Sequence, residues 1–364
     1  MNRFLHKISN FHADILQQTQ LGQMCGSKQL FCDRYQVLRI LGRGGFGVTF
    51  LARNAVLPGN LLCVIKQLCP KVSTRKSWER ACQRFEQEAK TLGQLGSHSQ
   101  IPMLLDYFEA NGEFYLVQEY VRGSTLAREV RRSGIKNEAD VKQFLRELLP
   151  ILQYVHKHRV IHRDIKPQNL LRCDDDGRLV LIDFGAVKEK LADAFENSLH
   201  KTATTNFVGT MGFAPPEQLS LRPVYASDIY AVGMTCLYML TGKAPLEFEH
   251  DRNTGEIAWH KDVEVSDSFA QVLTKMVKIS LEERFKTTDD VMWALGMETY
   301  VPTLTKCLAT QRLGDSSRSA NAEIPQGYLP PVARTAIAIR EWRAKLKTIK
   351  SQAKLKPYLS QVSN

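Results

Sequence analysis

The chain has 364 residues, 43% of them hydrophobic and 24% charged, ordinary folded-protein composition with room for two or three domain-sized units. No stretch reaches the roughly 18 uncharged apolar residues of a membrane-spanning helix. The first residues (MNRFLHKISNFHADILQQTQ) lack a secretory apolar run, and the eight cysteines include no C-x2-C pair, which argues for a cytoplasmic chain with free thiols. The formal charge is +11, but Ala333 to Lys356 alone carries eight basic residues and one acidic, +7, leaving +4 elsewhere, so no nucleic-acid surface is expected on the body.

In chain order, Phe4, Ile8, Phe11 and Ile15 recur at helical spacing and predict an amphipathic helix in an N-terminal extension, 1–30. From Phe31 the pattern turns to β-type runs: YQVLRIL, GVTFLA, LLCVIKQL and FYLVQEYV. Between the third and fourth, SWERACQRFEQEAKTLGQL puts Phe85, Leu92 and Leu95 on one helical stripe. After Val121 the character is helical, in VKQFLRELLPILQYVHKH, SDIYAVGMTCLYMLTG, FAQVLTKMVKIS and DDVMWALGMETY. The exception is LLRCDDDGRLVLIDFG, read as a hairpin around an Asp-Gly turn, with Asp174–Asp176 belonging to that turn. The expected organisation is α+β: a strand-rich lobe (31–121), a helix-rich lobe (122–300) and a cleft between them. A Ser-, Gly- and Pro-bearing linker (301–332) and a basic tail (333–364) follow.

Three groups of residues carry chemistry. GRGGFG places Gly42, Gly44 and Gly47 between two strand-like runs. A dinucleotide fold would put a helix after the glycines, whereas a second strand makes a flexible hairpin able to cover phosphates. Lys66 closes the buried-looking strand CVIK, where a snorkelling edge lysine is the plain alternative, and Glu88 on the next helix is placed to neutralise it. In VIHRDIKPQNLL, polar groups interrupt an apolar run, and an unpaired buried charge is costly. Asn169, with Asp183 fourteen residues on, offers the few hard oxygen ligands that Mg²⁺ takes. Asp164 is then left to accept a hydroxyl proton, with Lys166 offsetting charge on a moving phosphoryl group.

GRGGFG, VIK, Glu88, HRDIKPQN, DFG, GTMGFAPPE and SDIYAVG occur in the order found in eukaryotic-like (Hanks-type) protein kinases, and the chain resembles that family, in its bacterial serine/threonine style, over about residues 33–298. The resemblance implies a bilobal fold with a small antiparallel sheet and one main helix in the N-lobe and a larger helical C-lobe. It implies ATP and Mg²⁺, with Mn²⁺ able to substitute, and protein substrates. For the nucleotide it implies contacts from Leu41, Gly42, Arg43, Gly44, Gly45, Phe46, Gly47, Thr49 and Lys66. Glu88 would orient that lysine, and the backbones of Glu119 and Val121 would bond adenine beside Gln118. Thr210 corresponds to a threonine that bridges the catalytic Asp and Lys. Glu217 is expected to pair with Arg284, and Asp228 to hold the catalytic loop. Arg163 is expected to need a phosphate on the activation segment, at Thr204 or Thr205, unless those threonines are incidental to an exposed loop. Thr49 and Pro215 depart from the family's usual Val and Ala without removing a catalytic group.

In the tail, Ile339, Trp342, Leu346, Ile349 and Ala353 form an apolar stripe beside Arg340, Arg343, Lys347, Lys350 and Lys354. That pattern suits an anionic inner membrane surface, an acidic partner, or an amphipathic helix packing on the C-lobe. The expectation is an ATP-dependent protein-serine/threonine kinase activated by autophosphorylation. The rival readings are a nucleotide-binding pseudokinase scaffold and a small-molecule phosphotransferase sharing the fold, the latter opposed by the GTMGFAPPE segment, which in protein kinases forms the peptide platform. Oligomeric state leaves no trace in the pattern.

Overall fold

The computed structural model describes residues 19–43, 47–70, 74–186, 188–189 and 210–296. They divide into two compact units, each built on α+β principles: the described parts of Met1–Gly42 and Thr49–Val64, and those of Arg43–Val48 and Ile65–Val301. The expected helix at Phe4–Ile15, the linker and the basic tail lie outside the described residues, as do Thr204 and Thr205.

The first unit starts with the short helix α1 (Gln20–Met24), whose N-cap Thr19 accepts the Gly22 N–H at 3.0 Å. Strands β1 (Leu30–Phe31) and β2 (Tyr35–Arg43) pair antiparallel, with β3 (Gly47–Asn54) and β4 (Leu62–Leu68) next in order. Alternation along β2 buries Tyr35 and Val37, which join Leu21, Phe31, Phe50, Ala52 and Cys63 in the core. Asn54 ends β3 by accepting the N–H groups of Val56 and Leu57, an Asx turn.

In the second unit the later part of β4 is followed in sheet order by β6 (Glu113–Glu119) and then β5 (Leu104–Ala110). Helix α2 (Arg75–Leu95) is capped by Thr74 and buries Ala81, Phe85, Glu88, Leu92 and Leu95, the predicted stripe with one carboxylate in it. Strand β7 (Gly123–Thr125) leads into α3 (Leu126–Ser133) and α4 (Glu138–Lys157). A capping box of Asn137 and Asp140 starts α4, and its apolar face supplies fully buried Val141, Leu145, Leu148 and Leu152. Strand β8 (Val160–Ile161) and the 3₁₀ turn Pro167–Asn169 frame the polar loop. The predicted hairpin is present as antiparallel β9 (Leu170–Cys173) and β10 (Leu179–Leu181), with β7 on the other side of β9. Strand β11 (Lys188–Glu189) pairs with β8.

Past the undescribed segment come α5 (Pro216–Leu219), α6 (Tyr225–Thr241), α7 (Asp267–Met276) and α8 (Thr288–Ala294). Helix α6 is buried almost all round, as its mostly apolar sequence from Ile229 onward favours, and ends at Gly242 with φ +72°. Strand β5 was not anticipated. DYFEA shows no apolar alternation, and its strand character comes from pairing with β6.

Candidate active site

The ionic and hydrogen-bonded clusters around Lys66, Asp164, Asp228 and Arg284 lie in the second unit. Lys66 projects from β4, and its Nζ donates to a Glu88 carboxylate oxygen on α2 and to Asp183 Oδ1 at 2.9 Å. One ammonium therefore serves two carboxylates. Burial opposes the lysine's charge, but Asp183 and Glu88 outweigh it and its pKa rises. The Lys66 charge holds the Asp183 carboxyl down to about 2, whereas burial pushes Glu88 up against the same lysine. Two acids sharing one cation divide in this way, the one lowered by the shared charge and the other raised by burial.

The second cluster gathers on Asp164. Lys166 Nζ donates to Asp164 Oδ2 and to Thr210 Oγ1, both at 2.7 Å, and Thr210 Oγ1 donates to Asp164 Oδ1 at 2.8 Å. Asn169 Nδ2 donates to Asp164 Oδ2 at 2.9 Å and to the Asp164 carbonyl at 2.8 Å. A carboxylate has about four acceptor positions. Among the described residues Oδ2 uses two and Oδ1 one, so Oδ1 keeps a lone pair. The Asn169 carbonyl accepts the Ile182 N–H at 2.9 Å, which ties the 3₁₀ turn to the residue before Asp183. With its amide nitrogen spent, Asn169 offers its side-chain oxygen, and Asp183 is ionised. Two hard oxygen donors fit a small divalent cation that keeps several waters.

The loop carrying Asp164 is held from below. Asp228, fully buried on α6, accepts the N–H of His162 at 2.9 Å, the N–H of Arg163 at 2.8 Å and His156 Nε2 at 2.9 Å. Burial pushes the Asp228 carboxyl up, yet these donors bring it below its ordinary value. Gln218 Nε2 donates to the Arg163 carbonyl at 2.6 Å. Arg163 and Asp183 have φ of +68° and +67°, a left-handed backbone that costs a non-glycine residue about 1–3 kcal/mol. The buried Arg163 Nε has no hydrogen-bond partner among the described residues. Its pKa is lowered to about 10 by burial and then by Arg84.

Glu217 and Arg284 form an ion pair with Nη1–Oε1 at 2.6 Å. Arg284 is 1% exposed and also donates to the carbonyls of Lys278, Ile279 and Ala226, while Ser227 Oγ donates to Glu217. Leu41, Gly42 and Arg43 close β2, and Gly47 and Thr49 open β3; Gly44, Gly45 and Phe46 lie outside the described residues. At Gly47 any Cβ would stand 2.0 Å from the Gln67 carbonyl oxygen, so the position admits no side chain. Gln118 is buried at the end of β6, and Glu119 gives its N–H to the Met103 carbonyl at 2.9 Å, with Val121 just beyond.

Sequence reasoning did not find His156, Gln218 or Ser227. Each is an ordinary polar residue whose role arises from a partner 10 to 72 positions away.

Comparison with known proteins points to one family. The chain is 53% identical over 283 residues to "Serine/threonine-protein kinase B" of Synechocystis sp., covering 77% of this chain and 49% of that protein. It is 43% identical over 281 residues to "Serine/threonine-protein kinase PknA" of Nostoc sp., covering 76% and 50%. It is also 28% identical over 281 residues to "Calcium/calmodulin-dependent protein kinase type 1" of Caenorhabditis elegans, covering 74% and 76%. The chain thus spans about half the length of the two bacterial relatives. The protein kinase domain family matches residues 35–294, most of the sequence. On that match, and on the ordered polar clusters within it, the chain belongs to the protein kinase family, in its Hanks-type serine/threonine branch.

Proposed function

We propose that the chain is an ATP-dependent protein-serine/threonine kinase. The observation that carries this reading is the Asp164 cluster, in which Lys166, Thr210 and Asn169 fix the carboxylate and leave one Oδ1 lone pair for an incoming hydroxyl. As the substrate oxygen bonds the γ-phosphorus and the bond to the ADP oxygen breaks, the hydroxyl proton passes to Asp164. Lys166 stands beside the transferring group and offsets its charge. Lys66, oriented by Glu88, reaches the α/β-phosphates. By the family resemblance, Leu41 to Gly47 and Thr49 would contact the nucleotide, and the Glu119 carbonyl and Val121 N–H would bond adenine. Asn169 and Asp183 would hold Mg²⁺ or Mn²⁺, which supplies charge neutralisation at the phosphate oxygens.

The buried Arg163 Nε, unpartnered among the described residues, supports activation by a phosphate on Thr204 or Thr205, which would give its guanidinium a charge-assisted partner. The basic pattern of residues 333–364 supports contact with an anionic membrane surface or an acidic protein, and vesicle co-sedimentation with and without that segment separates the two. The pseudokinase reading has no missing group in its favour.

The test is labelling of the purified chain and of generic serine and threonine peptides with Mg²⁺/ATP, beside Asp164→Asn, with phosphosites mapped. The wild type is expected to label peptides and Thr204 or Thr205, and Asp164→Asn to lose about 10²–10⁴-fold in kcat with nucleotide affinity kept. Nucleotide binding without any phosphoryl transfer would favour the scaffold.

A further inference from the structure

Resting on the kinase reading, we infer that the exposed face of α3 is a docking surface for an acidic segment of the protein substrate. Arg128, Arg131 and Arg132 stand at i, i+3 and i+4, so all three share one helical face, and all are exposed. Among the described residues none has a carboxylate partner: Arg131 gives its Nε to the Ala127 carbonyl at 3.2 Å, and the helix's one acid, Glu129, is taken by Lys136 at 2.8 Å. Like charges at this spacing repel, and the helix dipole explains only part of the cost. It favours Arg131 and Arg132 in the last turn but disfavours Arg128 in the first, next to the Thr125 N-cap.

The charge is also concentrated. Arg122 to Lys136 carries five basic residues and one acidic, +4. With +7 in Ala333 to Lys356, the total of +11 is accounted for, and the rest of the chain balances to zero. Just past the helix Ile135 is 62% exposed.

Position selects the occupant. Helix α3 packs against the 3₁₀ turn Pro167–Asn169, the turn that fixes Asp164. An acidic stretch lying on α3 would therefore belong to a chain whose hydroxyl is presented to that loop. The arginines would raise the encounter rate and residence of such a substrate without touching the reacting atoms.

The experiment uses the full chain, Mg²⁺/ATP and paired peptides with one serine acceptor, flanked by a block of glutamates or by glutamines. The expected result is a KM about tenfold lower for the glutamate peptide at similar kcat, from three exposed charge pairs acting together. The preference should vanish at high salt and in Arg128→Ala/Arg131→Ala/Arg132→Ala, whose activity on the glutamine peptide stays at the wild-type level. Equal KM values, or a preference that survives the triple substitution, overturn the inference. So does arginine-dependent binding of a single-stranded oligonucleotide or a phosphatidylserine vesicle that excludes the glutamate peptide. Anisotropy of the labelled glutamate peptide without nucleotide separates the two readings. Arginine-dependent binding with no phosphorylation of any peptide sinks the kinase and keeps the surface, whereas phosphorylation without preference does the reverse.

Discussion

Two ionic centres of the second unit are built from acids and bases around a buried acid or base, Arg284 in one and Glu88 in the other, yet they are satisfied in opposite ways. At Arg284 the guanidinium spends its donors on Glu217 and three carbonyls, and Glu217 also accepts from Ser227. At Lys66 one ammonium is divided between Glu88 and Asp183, and the two acids move apart in pKa. A closed network of the first kind adds specificity to the fold and offers nothing to a ligand. An open one keeps negative and positive charge in reserve, which is what a phosphate and its counter-ion need.

The sharpest way to break this contrast is to remove one partner from each centre. Arg284→Leu leaves Glu217 buried without its cation, and stability is expected to fall by about 3–5 kcal/mol in denaturant unfolding. Phosphoryl transfer per folded molecule should be retained. Lys66→Met is expected to do the converse, cutting kcat by about 10²–10³-fold through loss of a positioned charge. Its smaller stability loss should shrink further as pH falls and the stranded carboxylates take up protons. If Arg284→Leu abolished catalysis at unchanged stability, the division of labour would be wrong.

The smallest effect is in the pH dependence of stability. Asp183 holds its proton less readily folded than unfolded, so its contribution is whole above its ordinary value of 3.8 and is lost as pH falls towards about 2. Glu88 is shifted the other way, so its charge costs stability at neutral pH and protonation recovers it. Acid titration of unfolding should therefore show the loss near pH 2–4 in the wild type and Glu88→Gln, and a much reduced one in Lys66→Met.

The same division explains what was legible in the amino-acid order. Lys66, Asp164, Asn169 and Asp183 were readable because a charged or amide side chain in an apolar run needs a reason, and Glu88 as the acid on the next helix placed to neutralise Lys66. The glycine hairpin was readable from strand-like runs on both sides, and Gly47 has a steric cause in the Gln67 carbonyl. The helices α4 and α6 followed from apolar periodicity and length. Strand β5 was not legible, because its half-buried residues carry no pattern of their own. Nor were His156 and Gln218, since what they do depends on Asp228 and Arg163 arriving from other elements. The α3 arginines were visible as letters, but their shared face and missing acids needed the helix bounds and the ion pairs.

One consequence of the Lys66 arrangement concerns coupling between separate stretches of chain. Glu88 on α2 and Asp183 after β10 meet on a single ammonium, so a change at either carboxylate is felt by the other through Lys66. A buried helix residue thereby bears on the carboxylate proposed to hold the divalent cation.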